Sequence, residues 1–225
     1  VVVSTFLAKN LRIDQIAKNW SVTPNAIRKG QEIESTLDVS RKSLNIESSA
    51  FLLGFVGSIF PWHGVDLIID AVQHLQQEGR NVQALIVGDG EIRGALEEDV
   101  KTLGLSNCIQ FTGTVQHRDT FAYTRLCDAL ILPRSHAYGS PVKIFEYALV
   151  CKPCIVPNTV PVKEVFDHPQ HGWIIDSTLE SATRAIKEIC KHPEASSTAA
   201  TNWNQRVLTS HTWHPTHNLH FPRLV

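Results

Sequence analysis

Residues 138–146 read YGSPVKIFE, and several of these nine residue types do chemistry at the entrance to a helix. Ser140 is a good N-cap and Pro141 suits the first helical position, so a helix is expected to open here. A helix entrance offers unpaired N–H groups and the positive end of the helix dipole, a combination suited to an anion. Gly139 lets a ligand approach the backbone closely, and Lys143, just after Val142, adds a mobile positive charge. Val142, Phe145 and Leu149 are expected to form the buried stripe. Lys143 and Glu146 lie three apart and share the neighbouring face. Glu146, one turn deeper, is placed to accept two hydrogen bonds from a vicinal diol such as a ribose. The same two residues also read as an exposed ion pair of little energetic weight.

Two other loops carry similar equipment. GSIFPWHG (57–64) has Gly57, Ser58 and Gly64 at its ends and His63 just before a helix. GDGEIRG (88–94) brings Gly88, Asp89 and Gly90 together, but its third glycine falls one place late for a dinucleotide fingerprint. No acid ends the following strand, CIQFTG, so a nicotinamide-type site is not indicated. Glycines at such places also serve as plain turn residues.

Around these loops the chain alternates strands and helices. Strands are expected at 51–57, 82–88, 108–113, 128–133, 154–157 and 172–175. Helices are expected at 64–78, 91–103, 119–126, 140–150, 161–166 and 178–191. Apolar runs separated by amphipathic helices predict an α/β fold with a doubly wound parallel sheet. Ligands of such sheets lie at the carboxyl ends of the strands, where all three loops fall.

The ends differ. Residues 1–30 offer one strand (VVVS), one helix near 6–19 and the turn TPN, too little for a core of their own, so their apolar side chains (Phe6, Leu7, Leu11) are expected to lack a partner. Residues 31–50 look like a linker. Beyond His192 the chain is polar and histidine-rich, without clean periodicity apart from Trp203, Val207, Leu208 and Trp213. His211, His214, His217 and His220 stand three apart, but Pro215 interrupts a helix there and no carboxylate or cysteine joins them, which argues against a metal cluster.

Composition narrows the classes. With 225 residues, 43% hydrophobic and 19% charged, the chain is an ordinary globular one. Its net charge of −1 and lack of a basic run give no footprint for nucleic acid. No apolar stretch reaches the roughly 18 residues of a membrane span. Five scattered cysteines suit a reducing cytoplasm, and the lone pair Cys151/Cys154 ends a helix and enters a strand, unlike a redox motif. The absence of methionine, even at position 1, suggests a piece of a longer chain.

GSIFPWHGVDLIIDA, ALIVGDGEIRGALE, IQFTGTV and LPRSHAYGSPVKIFEYALVCKPCIVP follow one another over about residues 51–176. In that order they resemble the nucleotide-sugar-binding half of retaining glycosyltransferases of the GT-B fold, family four. VTPNAIRK (22–29) is similar to the turn that ends the family's N-terminal domain, and LTSHTW (208–213) to the segment that crosses back to it. The resemblance implies the C-terminal, Rossmann-like domain at 51–192, a remnant of the N-terminal domain at 1–30 with most of that domain missing, and a tail at 193–225. It implies a UDP- or GDP-sugar donor, no cofactor, a saccharide or lipid-linked acceptor, and a cytoplasmic protein at most touching the inner face of the membrane.

The family's two-acid motif falls on Tyr138 and Glu146. Glu146 matches the acid that holds the donor ribose, whereas Tyr138 stands where the other acid would grip the sugar. The family's Arg and Lys in the first loop, which face the donor phosphates, are replaced by Ser58 and His63. A subgroup with PWHG and Ser-Pro-x-Lys has the same form, so Lys143 and a protonated His63 are expected to supply that charge, with Arg134 as a further candidate. Thr114 and Val115 join the donor site at the third strand end. No Asp-x-Asp pair is present to anchor a catalytic cation. The rival readings are a degenerate binding module without transfer and a sugar-nucleotide epimerase of the same fold.

Overall fold

The computed structural model describes residues 1–28, 35 and 37–213. His214, His217 and His220 lie outside them. The strands are β1 (Ile27–Arg28), β2 (Phe51–Val56), β3 (Val82–Val87), β4 (Ile109–Gly113), β5 (Ala129–Ile131), β6 (Cys154–Pro157), β7 (Trp173–Ile175) and β8 (Thr212–Trp213). The helices are α1 (Thr5–Asn10), α2 (Ile13–Ile16), α3 (Val65–Gln77), α4 (Arg93–Thr102), α5 (Thr120–Leu126), α6 (Val142–Leu149), α7 (Val160–Lys163), α8 (Leu179–Lys191) and α9 (Pro193–Ser210).

Leu52, Leu53, Phe55, Ala84, Leu85 and Ile86 are inaccessible to solvent. Consecutive residues can all be buried only when both faces of a sheet are covered, as in a parallel sheet flanked by helices. The strand order is β4-β3-β2-β5-β6-β7, with every pairing parallel. The chain therefore winds one way from β2 to β4 and the other way from β5 to β7. Its order reverses between β2 and β5, where a crevice opens at the carboxyl ends.

Both chain ends depart from expectation. The opening VVVS forms only an isolated bridge, Val2 with Val22, and the expected long helix is two short ones, α1 and α2. The segment is partly docked: Ser4 and Ala8 are buried, and Thr5 donates its N–H and hydroxyl to Glu164 at the end of α7. Leu11 and Ile16 stay exposed. Beyond His192 the polar stretch is largely the 18-residue helix α9. Its buried stripe is Ser196, Ala199, Ala200, Trp203 and Val207, helical in spacing but mostly small, which explains the weak hydropathy signal. After α9 the chain returns to pair β8 with β1.

Candidate donor site at the strand ends

The reversal between β2 and β5 opens a cavity of about 680 Å³ at the carboxyl ends. Its walls include Gly57, Ser58 and His63 after β2, Gly88 and Asp89 after β3, and Thr114 and Val115 after β4. Pro141, Val142, Lys143 and Glu146 close it from α6. Three sequence-distant loops and one helix entrance thus share a single space, of a size that suits a small ligand.

The first two loops interlock. Gly57 N–H donates to Val87 O, and Ile59 N–H to Asp89 O, each at 2.9 Å. Gly57 and Gly88 have φ of 140° and 134°, a conformation that side chains rarely adopt. A Cβ on Gly88 would strike Gly57 O, and one on Gly57 would lie 2.6 Å from Lys143 Nζ. These two glycines let the loops and Lys143 meet. Gly90 and Gly64 are not in the wall: they pack on the backbone of Ile59 and on Pro133 with Arg134.

The entrance of α6 differs from expectation in ways that matter chemically. Its N-cap is Pro141, and no side chain caps it. The hydroxyl of Ser140 is turned away and accepts from Asn25 N–H at 3.0 Å. Ser140 and Gly139 are outside the cavity wall. Val142 is exposed, and the buried stripe is Ile144, Phe145, Tyr147 and Ala148. Behind the helix, Trp203 Nε1 and Asn204 Nδ2 on α9 donate, each at 2.9 Å, to Ile144 O and Ala148 O respectively. Val56 N–H donates to Tyr147 Oη at 3.0 Å, joining α6 to the end of β2.

Lys143 is not the mobile surface charge its spacing predicts. Its ammonium is shielded from solvent, lacks a hydrogen-bond partner, and sits 4.7 Å from the centre of the Phe55 ring. Burial pulls its pKa down to about 8, with Glu146 opposing the shift, so at neutral pH it is still mainly charged. The anticipated Lys143–Glu146 pair does not form. Glu146 instead lies 2.7 Å from Nε2 of His117.

His63 also differs. Its Nδ1 lies 2.6 Å from Ser58 O, so Nδ1–H donates and Nε2 is left as an acceptor. Burial, then the Lys143 charge, holds its pKa below the ordinary value, which works against the second positive charge expected there. Arg134 is committed elsewhere: Nη1 donates to both carboxylate oxygens of Asp66, at 2.9 and 2.8 Å, outside the wall. Tyr138 is half-exposed and stacked on His136 at 4.9 Å, also outside it. Asp89 lines the cavity, its pKa lowered chiefly by Gly90 N–H and further by Arg93.

The sequence profile described as glycosyl transferases group 1 matches residues 38–206. The chain belongs to this family. Among curated relatives of this group 1 chain, a 2-deoxystreptamine N-acetyl-D-glucosaminyltransferase of Niallia circulans is 27% identical over 123 residues, 54% of this chain and 31% of that protein. An alpha-D-kanosaminyltransferase of Streptomyces kanamyceticus is 27% identical over 151 residues, 66% of this chain and 38% of that protein. The chain therefore spans only about a third of the length of these relatives.

Among solved structures, Anabaena HepE in complex with UDP superposes with a TM-score of 0.79 at 20% identity, covering 94% of this chain and 59% of that one. A C-terminal domain of a glycosyl transferase group 1 family protein (LpcC) from Francisella tularensis gives 0.64 at 18% identity, covering 72% and 86%. The parallel sheet is the Rossmann-like fold of GT-B C-terminal domains.

Two polar residues in the wall of this group 1 chain, His117 and Thr120, were not anticipated from sequence, nor were the apolar Val56 and Val87. His117 lies on a one-turn helix after β4, its ring edge-on to Phe121, and no spacing rule connects it to Glu146, 29 residues on. Among the described residues no group of three His, Cys, Asp or Glu side chains converges as metal ligands. No helix among them is long and apolar enough to cross a membrane.

Proposed function

We propose that this chain binds the donor of a retaining, metal-independent glycosyltransferase, a UDP- or GDP-sugar whose diphosphate lies at the entrance of α6. One observation carries the reading: a shielded, unpartnered ammonium, Lys143, stands beside an uncapped helix entrance in the wall of the switch-point cavity. A buried charge without a partner is costly unless a ligand of opposite sign completes it. The complexes of HepE with UDP and UDP-glucose favour uridine over guanine.

In this reading Lys143 and the first N–H groups of α6 hold the diphosphate. They stabilise the negative charge that builds on it as the bond to the sugar breaks. Glu146 accepts from the ribose hydroxyls. His63, neutral, accepts a hydroxyl hydrogen bond at Nε2. Gly57, Ser58, Gly88, Asp89, Thr114, Val115, Pro141 and Val142 shape the walls. Retention and membership of the PWHG/Ser-Pro-x-Lys subgroup follow from the family resemblance, as does transfer to a saccharide or lipid-linked acceptor.

Calorimetric titration with UDP-glucose and a GDP-sugar in EDTA tests this. Binding is expected with the metal removed, and Glu146→Ala should weaken it about ten- to a hundredfold, since hydrogen bonds to a charged group contribute roughly 1.5–3 kcal/mol. Unchanged affinity in the variant would remove Glu146 from the ribose, and binding that requires added magnesium or manganese would overturn metal independence. A second reading, a module that binds a sugar nucleotide without transferring its sugar, is favoured by Tyr138. It replaces the family's first acid and stacks on His136 outside the wall. Release of UDP from UDP-glucose by the intact protein with acceptor present would exclude that module.

A further inference from the structure

Ser140 has the residue type of an N-cap and stands one residue before the observed cap, Pro141, yet its hydroxyl does not cap α6 and instead accepts from Asn25. Asn25 N–H donates to Ser140 Oγ at 3.0 Å, and Asn25 Nδ2 donates to Ser140 O at 2.5 Å. Ser140 is buried, and both bonds of this clasp are partly buried. The turn that carries Asn25 is itself anchored. Thr23 N–H donates to Val2 O at 2.8 Å, Ile27 N–H to His211 O at 3.0 Å, and Ser4 Oγ to Tyr138 O at 3.1 Å. A segment some 115 residues away thus grips the last residues before α6 from behind.

We propose that Asn25 is a positioning residue for the anion site: by docking on Ser140 it keeps that hydroxyl from capping α6, and so leaves the first N–H groups of the helix to the ligand. The physical reason is competition for one set of donors. A serine before a helix normally accepts from the N–H of the second or third helical residue, which removes that donor from any other partner. Held by Asn25, Ser140 Oγ points the other way, and a phosphate meets the free N–H groups together with the Lys143 ammonium, which is shielded and itself unpartnered in the same wall. The inference rests on the donor reading only for the identity of the anion.

Two measurements on the full chain separate the two ideas: single-residue amide exchange of Val142 and Lys143 without ligand, and calorimetric affinity for UDP-glucose. Asn25→Ala keeps the backbone N–H that meets Ser140 Oγ but removes the Nδ2 bond to Ser140 O that holds it there, so the hydroxyl is released. The expected result is slower exchange at these amides as Ser140 turns to cap them, with affinity lower by about five- to tenfold, the equivalent of one cap. The double variant Asn25→Ala/Ser140→Ala has no hydroxyl to cap with, so fast exchange and affinity should return to within about twofold of the wild type. A mere loosening of the loop would not be rescued this way. Asn25→Asp, which keeps the side-chain size but loses the Nδ2 donor, should behave like Asn25→Ala and serves if the alanine variant fails to fold. Unaltered exchange in both single variants, or an affinity loss that persists in the double variant, overturns the proposal. The expected exchange pattern in a wild-type protein that binds no UDP-glucose supports Asn25's control of α6 and overturns the donor reading instead.

Discussion

The first turn of α6 and the loop just before it each carry one cation, and the two are opposites. Arg134, on the loop after β5, places Nη1 between both oxygens of Asp66 in a pair open to water. Lys143, nine residues later, has no hydrogen-bond partner although Glu146 is one turn away; Glu146 Oε1 lies 2.7 Å from His117 Nε2 instead. The loop cation is neutralised where solvation is cheap, and the helix cation is left uncompensated where it is costly. In the proposed reading, charge type does not mark the ligand-binding residue; unmet demand does.

Lys143→Met is the strongest attack on this contrast. UDP-glucose affinity should fall about a hundredfold, the scale of losing a charge-assisted contact of roughly 3 kcal/mol. The thermal midpoint of the unliganded protein should hold or rise, because a desolvated charge is removed and the contact with Phe55 returns only about 0.5–2 kcal/mol. A variant that keeps its affinity, or that loses affinity and stability together, would break the comparison.

Raising the pH should act on the same atom more mildly. A sugar nucleotide keeps its diphosphate charges above neutrality, while Lys143 loses its proton as pH passes about 8. Affinity should drop about tenfold between pH 7 and 9 in the wild type and stay flat in Lys143→Met. The sign for stability is the reverse. Between pH 8 and the ordinary lysine value the unfolded chain binds more protons than the folded one, so the Lys143 contribution to stability rises with pH. A pH-independent affinity in the wild type would mean that Lys143 does not meet the diphosphate.

The smallest effect is expected at the other cation. Arg134→Ala should change UDP-glucose affinity by less than about twofold and stability by no more than about 1 kcal/mol, the range of exposed pairs. A tenfold loss of affinity would restore Arg134 to the site and blur the distinction.

The chemistry of the site was legible to different depths in different places. That Glu146, Lys143, Gly57 and Gly88 line one cavity could be read because their placement is local: a helix entrance, a strand end, a tight turn. His117 could not, since its link to Glu146 depends on how the β4 loop folds over α6. The role of Ser140 was misjudged for the same reason. An N-cap rule weighs only the residues that follow, and the competing donor, Asn25, comes from 115 residues earlier.

Local periodicity and the apolar runs determined the parallel α/β architecture, and with it the location of the site at the carboxyl ends of the strands. Those properties depend on neighbours within a few residues and on burial of both sheet faces, which a linear pattern encodes. Only the tertiary structure decided the partners and electrostatics of the site: a His63 whose pKa burial holds down, a solitary Lys143, an Arg134 bound to Asp66 and a helix backed by Trp203. Desolvation and hydrogen-bond competition are set by whatever packs nearby in space, and residues far apart in the chain supply those neighbours here.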